Sequence, residues 1–420
     1  MSDTKITETY EFNTNILTSY SGREQRIKTR QYPRHMFSYD YDGMDIYQAQ
    51  YIRALLRRKQ NQTQYIPYWP NVTRLVEDIV GGWMVRIPKE SLFNFYNCDY
   101  IELFAQDDVT SKDANVVRKV RGYRIDNATD TAVIELTTPL HGKYKAKATF
   151  VFPLINTVTQ PSSEAQYMFA RGTHTTLNFE CVDTVSKTKL PPSVLPINYD
   201  IKEFHYFDIP KEFNDRPVFL FTPSWVEDES VQLKIDKNVT KLDNKTGVFQ
   251  YDVKSNKCYD TNIWDINLLN KEMIYNMIKF FISVGGMYKA FYLPTWVNDV
   301  ETYDGFLAGR NFICTELSAM AEYYSSITRN KYIIVLTKDF KSYIFKIMGY
   351  AKDTIAFNDG SKKLMGKILL SETIGTQIPL DNLLMVSYLN LVRLDSDELK
   401  LDYESDCVAT TTLSFKEVDV

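Results

Sequence analysis

The stretch Tyr65-Ile66-Pro67-Tyr68-Trp69 recurs later in the chain as Tyr292-Leu293-Pro294-Thr295-Trp296. A helix-like segment precedes each copy. Proline lacks the N–H that a central strand needs, so Pro67 confines its stretch to an edge or to the start of a strand. A motif that recurs in the same context indicates that the chain contains two related units.

Two further pairs of segments occur in the same order. The strand-like lead-in Phe37–Tyr41 is similar to Phe249–Val253, and Thr175–Phe179 is similar to Thr411–Phe415 near the end of the chain. The separation between copies only grows along the chain, as loop insertions in one copy would cause. The sequence therefore predicts a tandem duplication.

The pattern within each unit predicts an α+β fold that is mainly β. Apolar residues at helical spacing predict one helix at about 45–58 and another at about 266–283. Short alternating segments follow each helix, which favours a small β-sandwich or barrel-like domain. We divide the chain into a first β-rich repeat (6–185), a Pro-rich linker (186–216) and a second β-rich repeat (217–420).

Composition limits the classes of function. At 420 residues the chain exceeds the usual size of a single core. Its 29 Tyr and 24 Phe favour strands and large interfaces, since each ring buries a large area. A net charge of −4 argues against a protein that grips nucleic-acid phosphates over a broad surface. We expect no sequence-specific nucleic-acid partner.

The termini and the cysteines give no sign of export. Residues Met1–Lys5 contain no apolar core, so no signal peptide is predicted. We find no run of about 20 apolar residues and expect no membrane span. The five cysteines form no C-x-x-C pair, which argues against a zinc site or a disulfide framework. They are typical of buried free thiols in a reducing compartment.

The residues that carry catalysis are sparse. Four His are scattered, no G-x-S-x-G surrounds a Ser, and Cys314 has no nucleophile signature. The acidic residues over 395–402 lack the glycine turn and spacing of a calcium loop, which favours a turn and a strand face. Glycoside hydrolysis needs only two carboxylates, but nothing in the sequence selects a pair. We expect no enzyme, no metal and no cofactor.

The recurring motifs and one further tryptophan supply candidate structural or interface anchors. They are Tyr65, Pro67, Trp69, Trp225, Tyr292, Pro294 and Trp296. A Trp after a Pro in a β-rich domain is typical of a core or interface anchor. The alternative is a carbohydrate-stacking platform, which requires an exposed ring at Trp69 or Trp296.

Four motifs occur in order along the chain. They are Ser21–Arg26 with Arg30, Pro33 and Arg34, Ile66–Trp69, Pro223–Trp225 and Arg393–Glu398. Together they resemble motifs of virion tail proteins of tailed bacteriophages, of the tail-tip or baseplate kind. The resemblance implies a structural protein that forms a ring joining the tail tube to the tip hub and fibres, through which DNA passes. Such a protein is part of the virion and is made in the host cytoplasm. This family has no catalytic residues to carry over.

A duplicated chain has a specific use in such a ring. Two similar domains per subunit let three subunits present six roughly equivalent positions, which would match a threefold hub to a sixfold tube. We therefore expect a homo-oligomeric ring, either a trimer with pseudo-sixfold symmetry or a hexamer. The alternative function is a receptor- or carbohydrate-binding tail module.

Overall fold

β-strands make up most of the described chain, and the computed structural model confirms an α+β fold that is mainly β. The structure describes residues 5–20, 22–58, 62–95, 98–105, 115–126, 128–159, 164–168, 172–182, 209–224, 232–243, 245–326, 331–356 and 362–418. We call the described residues up to 182 the first half and those from 209 onward the second half.

The first half contains a long and a short helix, α1 (Ile46–Arg58) and α2 (Leu92–Phe95). Its strands are β1 (Lys5–Glu11), β2 (Thr14–Thr18), β3 (Glu24–Lys28), β4 (Arg34–Met44), β5 (Gln64–Pro67), β6 (Thr73–Arg74), β7 (Ile79–Pro88), β8 (Tyr100–Ala105), β9 (Asn115–Asp126), β10 (Thr131–Tyr144), β11 (Thr149–Thr159), β12 (Glu164–Met168) and β13 (Gly172–Cys181).

The second half also contains two helices, α3 (Lys271–Val284) and α4 (Ala319–Ser326). Its strands are β14 (Glu212–Phe213), β15 (Arg216–Pro217), β16 (Gln232–Asp243), β17 (Phe249–Leu268), β18 (Phe291–Pro294), β19 (Phe312–Thr315), β20 (Tyr332–Thr337), β21 (Ser342–Ala356), β22 (Lys362–Leu370), β23 (Leu383–Leu394), β24 (Glu398–Tyr403) and β25 (Ala409–Glu417).

One antiparallel array of strands runs through both halves. Its order is β12-β13-β4-β1-β24-β25-β17-β16. The first four strands belong to the first half and the last four to the second. The two halves therefore meet where β1 pairs with β24 in the middle of the array.

Each half adds a smaller group of antiparallel strands that follows its long helix. In the first half the order is β7-β10-β9-β8-β11, and β11 also pairs with β5 and β6. In the second half the order is β19-β22-β21-β20-β23-β18. Separate apolar clusters fill the two groups, centred on residues such as Ile87 and Ile134 in the first and Ile333 and Ile368 in the second.

In the long array, the registers of the β4–β13 and β17–β25 pairs match over most of their length. Tyr39 on β4 lies opposite Leu177 on β13, and Trp264 on β17 lies opposite Leu413 on β25. We call two residues counterparts when they occupy the same position in such matching pairs. Trp264 is thus the counterpart of Tyr39.

The recurring motif strands match in the same way. Pro67 lies opposite Leu154 and Pro294 lies opposite Leu389. The backbone N–H after each proline donates to a carbonyl on the partner strand. Tyr68 donates to the Pro153 carbonyl at 2.9 Å, and Thr295 donates to the Tyr388 carbonyl at 3.1 Å.

The long helices also begin alike. The Asp45 carboxylate accepts a hydrogen bond from the Gln48 N–H at 2.7 Å, and the Asn270 side chain accepts one from the Met273 N–H at 2.9 Å. Such side-chain caps satisfy backbone donors that the helix itself leaves unpaired. Gly285, in the left-handed conformation with φ of 71°, ends α3.

Two sequence predictions need correction. The second long helix begins at Lys271 and not near 266, because Ile266 is a buried residue of β17. The lead-in alignment is wrong in register: Phe179 pairs with Phe37 but Phe415 pairs with Asn262, so Phe249 is not the counterpart of Phe37.

The predicted linker can be followed only in its last part. Residues 186–208 lie outside the described residues. Residues 209–216 pack on the rest of the second half, where Phe213 contacts the rings of Tyr292 and Tyr332. Among the described residues, no helix is long and apolar enough to cross a membrane.

Candidate assembly interface

The two halves share a core at the β1–β24 junction. Tyr10 and Phe12 of the first half are buried in the same apolar cluster as Leu399 and Leu401 of the second half. The alternation of β1 directs these rings to one face, as expected for a strand with one buried side. The first half therefore contributes part of the second half's core.

A buried carboxylate lies at the centre of this junction. Glu8 is fully buried, and its oxygens accept hydrogen bonds from the hydroxyls of Tyr10, Tyr68 and Tyr403 at 2.6–2.8 Å. The Nε2 atom of His35 lies 2.5 Å from the same carboxylate. These partners come from strands of both halves and from the motif at residues 65–69, so a single carboxylate links four separate segments.

The charges of this cluster depend on one another. Burial would raise the pKa of Glu8, but His35 and the tyrosine hydroxyls outweigh burial and lower it. Burial opposes a charge on His35, yet Cys181 and Glu8 raise its pKa to about 10. Glu8 is therefore ionised and His35 protonated at neutral pH, so the junction contains a buried ion pair.

A hairpin of the first half packs on the second half. This first arm, Thr14–Lys28, consists of β2 and β3. Glu24 of the arm accepts hydrogen bonds from Arg393 of β23 at 2.8 and 2.9 Å, and both side chains are largely buried. Lys416 Nζ lies 3.9 Å from the same carboxylate. The arm is therefore held by a bidentate ion pair, the geometry that makes such pairs strong.

Asp397 fixes the base of the first arm. Its carboxylate accepts hydrogen bonds from the Thr14 N–H at 2.5 Å and from the Met287 N–H at 2.9 Å. Phe12, two residues before the arm, contacts the Phe281 ring of α3 at 5.5 Å between centroids. The arm thus begins against the end of the second half's helix.

A second arm has the same register as the first. Five successive pairs join Thr14–Thr18 to Glu24–Lys28, and five join Val239–Asp243 to Phe249–Val253. In both hairpins the register shifts at the base of the arm by the same amount. Phe249 is therefore the counterpart of Glu24. We call Val239–Val253 the second arm.

The second arm is exposed where the first arm is docked. On the first arm, Glu24, Arg26 and Lys28 face the second half and are partly buried. Their counterparts on the second arm are Phe249, Tyr251 and Val253, which are 52%, 56% and 54% exposed. Exposed apolar residues in a contiguous row are typical of an interaction surface.

The long array of strands ends in two open edges. Within the described residues, β12 pairs with β13 alone and β16 pairs with β17 alone. Their counterparts, β24 and β1, pair with each other. An unpaired strand edge is a template for a further strand.

The structure separates the predicted anchors into two groups. Tyr292, Pro294 and Trp296 are buried in the core of the second half. Tyr65 is exposed and packs on the Tyr100 ring at 4.7 Å between centroids, and Pro67 is half-buried. Trp69 is 39% exposed and packs edge-on against Phe152 at 4.7 Å. Trp225 lies outside the described residues.

Local sequence patterns do not identify the junction residues Glu8, His35 and Tyr403. One signal was present, because Glu8 shares a strand face with Tyr10 and Phe12. A carboxylate on an apolar face indicates a buried, hydrogen-bonded charge. Its partners are up to 395 residues distant, so no local pattern could identify them.

The described residues provide no candidate metal site. Among them, no group of three or more His, Cys, Asp or Glu side chains is placed to hold one. Neither a protein-family model nor a curated protein matches the chain.

Proposed function

We propose that this chain is a structural component of the tail tip or baseplate of a tailed bacteriophage, in which it forms a ring. In this proposal the chain is a tandem duplication of a unit of strands and one helix, followed by a small barrel-like domain. The ring joins the tail tube to the hub and fibres, is part of the virion after synthesis in the host cytoplasm, and lets DNA pass. No step of this role requires catalysis or a cofactor.

The open edges of the long array carry the proposal. Within one chain, β24 of the second half pairs with β1 of the first. The counterparts of these strands, β12 and β16, are the two open edges. Repeating the same contact between chains would pair β12 of one copy with β16 of the next, head to tail. Such a contact generates a closed ring if the rotation from one copy to the next, repeated, adds up to a full turn.

The internal junction also fixes the register of this contact. Thr9 lies opposite Lys400 at the junction. Lys234 is the counterpart of Thr9, and Glu164 is the counterpart of Lys400. The contact between chains would therefore place Glu164 opposite Lys234, and oppositely charged residues in facing positions stabilise a pair of strands.

If the step between chains equals the step within a chain and each step rotates by one sixth of a turn, three copies complete the ring. Each chain then supplies two of six similar positions, which suits a threefold hub on a sixfold tube. Negative-stain imaging with mass measurement of the purified protein and of virions tests this. A ring of three chains supports the proposal. A stable monomer absent from the tail axis contradicts the proposal, and a ring of six full chains with both halves at one radius contradicts the three-copy arrangement.

A cysteine pair tests the register directly. Glu164→Cys combined with Lys234→Cys should give covalent trimers on mild oxidation, in a background where the exposed Cys407 is replaced by Ser. Glu164→Cys combined with Ile235→Cys is the matched control, since a shift of one residue points the second side chain to the opposite face. Equal cross-linking of both pairs would contradict the proposed register.

One observation favours a second function at the tip. The Trp69 ring is partly exposed, as a carbohydrate-stacking platform requires. The buried Trp296 does not meet that requirement. A receptor- or carbohydrate-binding role would therefore involve the first half. Loss of glycan affinity in Trp69→Ala, with folding intact, would support this role, and no glycan affinity in the parent protein would exclude it.

A further inference from the structure

The second arm has the features of an interaction surface whose partner is another copy of this chain. The first arm is the counterpart of the second arm, and it shows how such an arm docks within the chain. Glu24 on the first arm binds Arg393 on β23. The position of Arg393 on its strand identifies where a second arm would dock on a first half.

The counterpart of Arg393 is Val158 on β11. Arg393 lies opposite Lys416 in the pairing of β23 with β25, and Val158 lies opposite Glu180 in the pairing of β11 with β13. The counterpart of Glu24 is Phe249. A salt bridge within the chain thus corresponds to two apolar residues, and each of them is at least partly exposed in the single chain.

The alternative is that the second arm docks on the first half of its own chain. The positions of the two surfaces in the long array argue against it. The second arm extends from β16 and β17 at one end of the long array, and Val158 lies on the first half, beside β13 at the other end. The first half's own arm is already docked on the second half through Glu24. A second arm that repeats this contact must therefore meet the first half of a different copy.

We infer that the second arm of one copy docks on the first half of the next copy, with Phe249 against Val158, and that this contact holds neighbouring chains together. The inference rests on the proposed ring, because the head-to-tail pairing of β16 with β12 brings these surfaces together. The partner is a second copy of this chain. The contact is apolar, and burial of apolar area drives association between separate chains.

The alternation of the arm supplies a matched control. Phe249 lies opposite Asp243, and its neighbour in space Leu242 lies opposite Gln250, so the two apolar residues point to opposite faces. Leu242 is 51% exposed, close to the value for Phe249. Its counterpart Leu17 stays exposed on the docked first arm. Leu242 therefore lies on the face that docking leaves open to solvent.

The first experiment measures assembly of the full chain by sedimentation velocity over a range of concentrations. Phe249→Glu should raise the concentration at which trimers dissociate by about tenfold or more, which corresponds to ~1.4 kcal/mol or more. Leu242→Glu should leave that concentration unchanged. Thermal unfolding of both variants should match the parent, because both residues are exposed in the single chain.

The second experiment tests the partner residue. Val158→Cys with Phe249→Cys, in the Cys407→Ser background, should form covalent trimers on oxidation, and Val158→Cys with Leu242→Cys should not. Unchanged trimers in Phe249→Glu, or equal cross-linking of both cysteine pairs, would overturn the docking of the arm while leaving the ring intact. A parent protein that is monomeric at every concentration would overturn both.

Discussion

Glu24 and Arg393 lie 369 residues apart in the chain and form a bidentate ion pair in which both side chains are largely buried. Arg393 also donates to the Asp395 carboxylate at 2.8 Å. The pair joins the first arm to the second half, so a single contact connects the beginning of the chain with its end.

Arg393→Ala should lower the free energy of unfolding by about 3–5 kcal/mol, because it leaves the Glu24 carboxylate buried without its main partner. Denaturant unfolding followed by circular dichroism measures the change. Lys341→Ala is the control, since Lys341 and Asp339 form an ion pair at the surface. That variant should unfold at the parent's midpoint. If both variants lost the same free energy of unfolding, burial of the Glu24–Arg393 pair would not explain its contribution to stability.

Stability should fall on the alkaline side as His35 loses its proton. The folded protein raises the pKa of His35 from 6.5 to about 10, so the folded state holds this proton more tightly than the unfolded chain does. The stabilisation is complete below pH 6.5 and is lost as pH rises towards 10. The pKa of Glu8 is lowered, so its contribution is present above pH 4.5 and is lost as pH falls through the lowered value.

The melting temperature measured across pH 4–10 tests this dependence. His35→Phe keeps a ring beside Tyr10, whose ring stacks on His35 at 4.3 Å, but it removes the titrating group. This variant should be less stable overall and should lose the decline between pH 6.5 and 10. A parent protein with constant melting temperature over that interval would refute the assignment of a buried ion pair.

The two tryptophans of the recurring motif should differ in their effect on stability. Trp296→Ala should cost about 3–5 kcal/mol, because the side chain is 6% exposed and its removal leaves a cavity. Trp69→Ala should cost about 1 kcal/mol, the usual effect of a point substitution. Parallel denaturant titrations measure both values. If Trp69→Ala lost more stability than Trp296→Ala, Trp69 would contribute more to packing than its partial exposure indicates.

Gly286→Ala should destabilise the end of α3 by about 1–3 kcal/mol. Gly286 has φ of +64°, and an added Cβ would collide with the Asp397 carboxylate that holds Thr14 and Met287. Gly309→Ala is the matched control, with φ of +83° and no atom within 4 Å of the added Cβ. Its loss should be smaller, since strain acts there without a collision. Thermal unfolding of both variants measures the difference.

Local patterns predicted part of the fold. The helical spacing around Ile52 agrees with α1, and both proline motifs form strands, β5 and β18. Within the described residues β5 pairs with β11 alone, whereas β18 pairs with β23 and its Tyr292 also forms a parallel bridge with Val218. These features depend on residues close together in sequence. The start of α3 was misplaced because Ile266 and Leu268 continue the apolar pattern while belonging to a buried strand.

Registers and the buried cluster depend on distant partners. Phe249–Val253 looks like Phe37–Tyr41, yet the pairing with Phe415 makes Asn262 the counterpart of Phe37. Five residues of strand sequence carry too little information to fix an alignment that long-range partners decide. Glu8 was missed for the same reason, since its partners Tyr68 and Tyr403 are remote in sequence.

The β1–β24 junction constrains how the protein is made. Thr7 and its hydrogen-bond partner Asp402 are 395 residues apart, so the ribosome produces the second edge of this contact long after the first. At ~5–20 residues per second, β1 waits roughly 20–80 s for its partner strand. During translation its edge is open to the wrong strands, including those of neighbouring nascent chains. The two halves can therefore close on each other only after β24 has been synthesised.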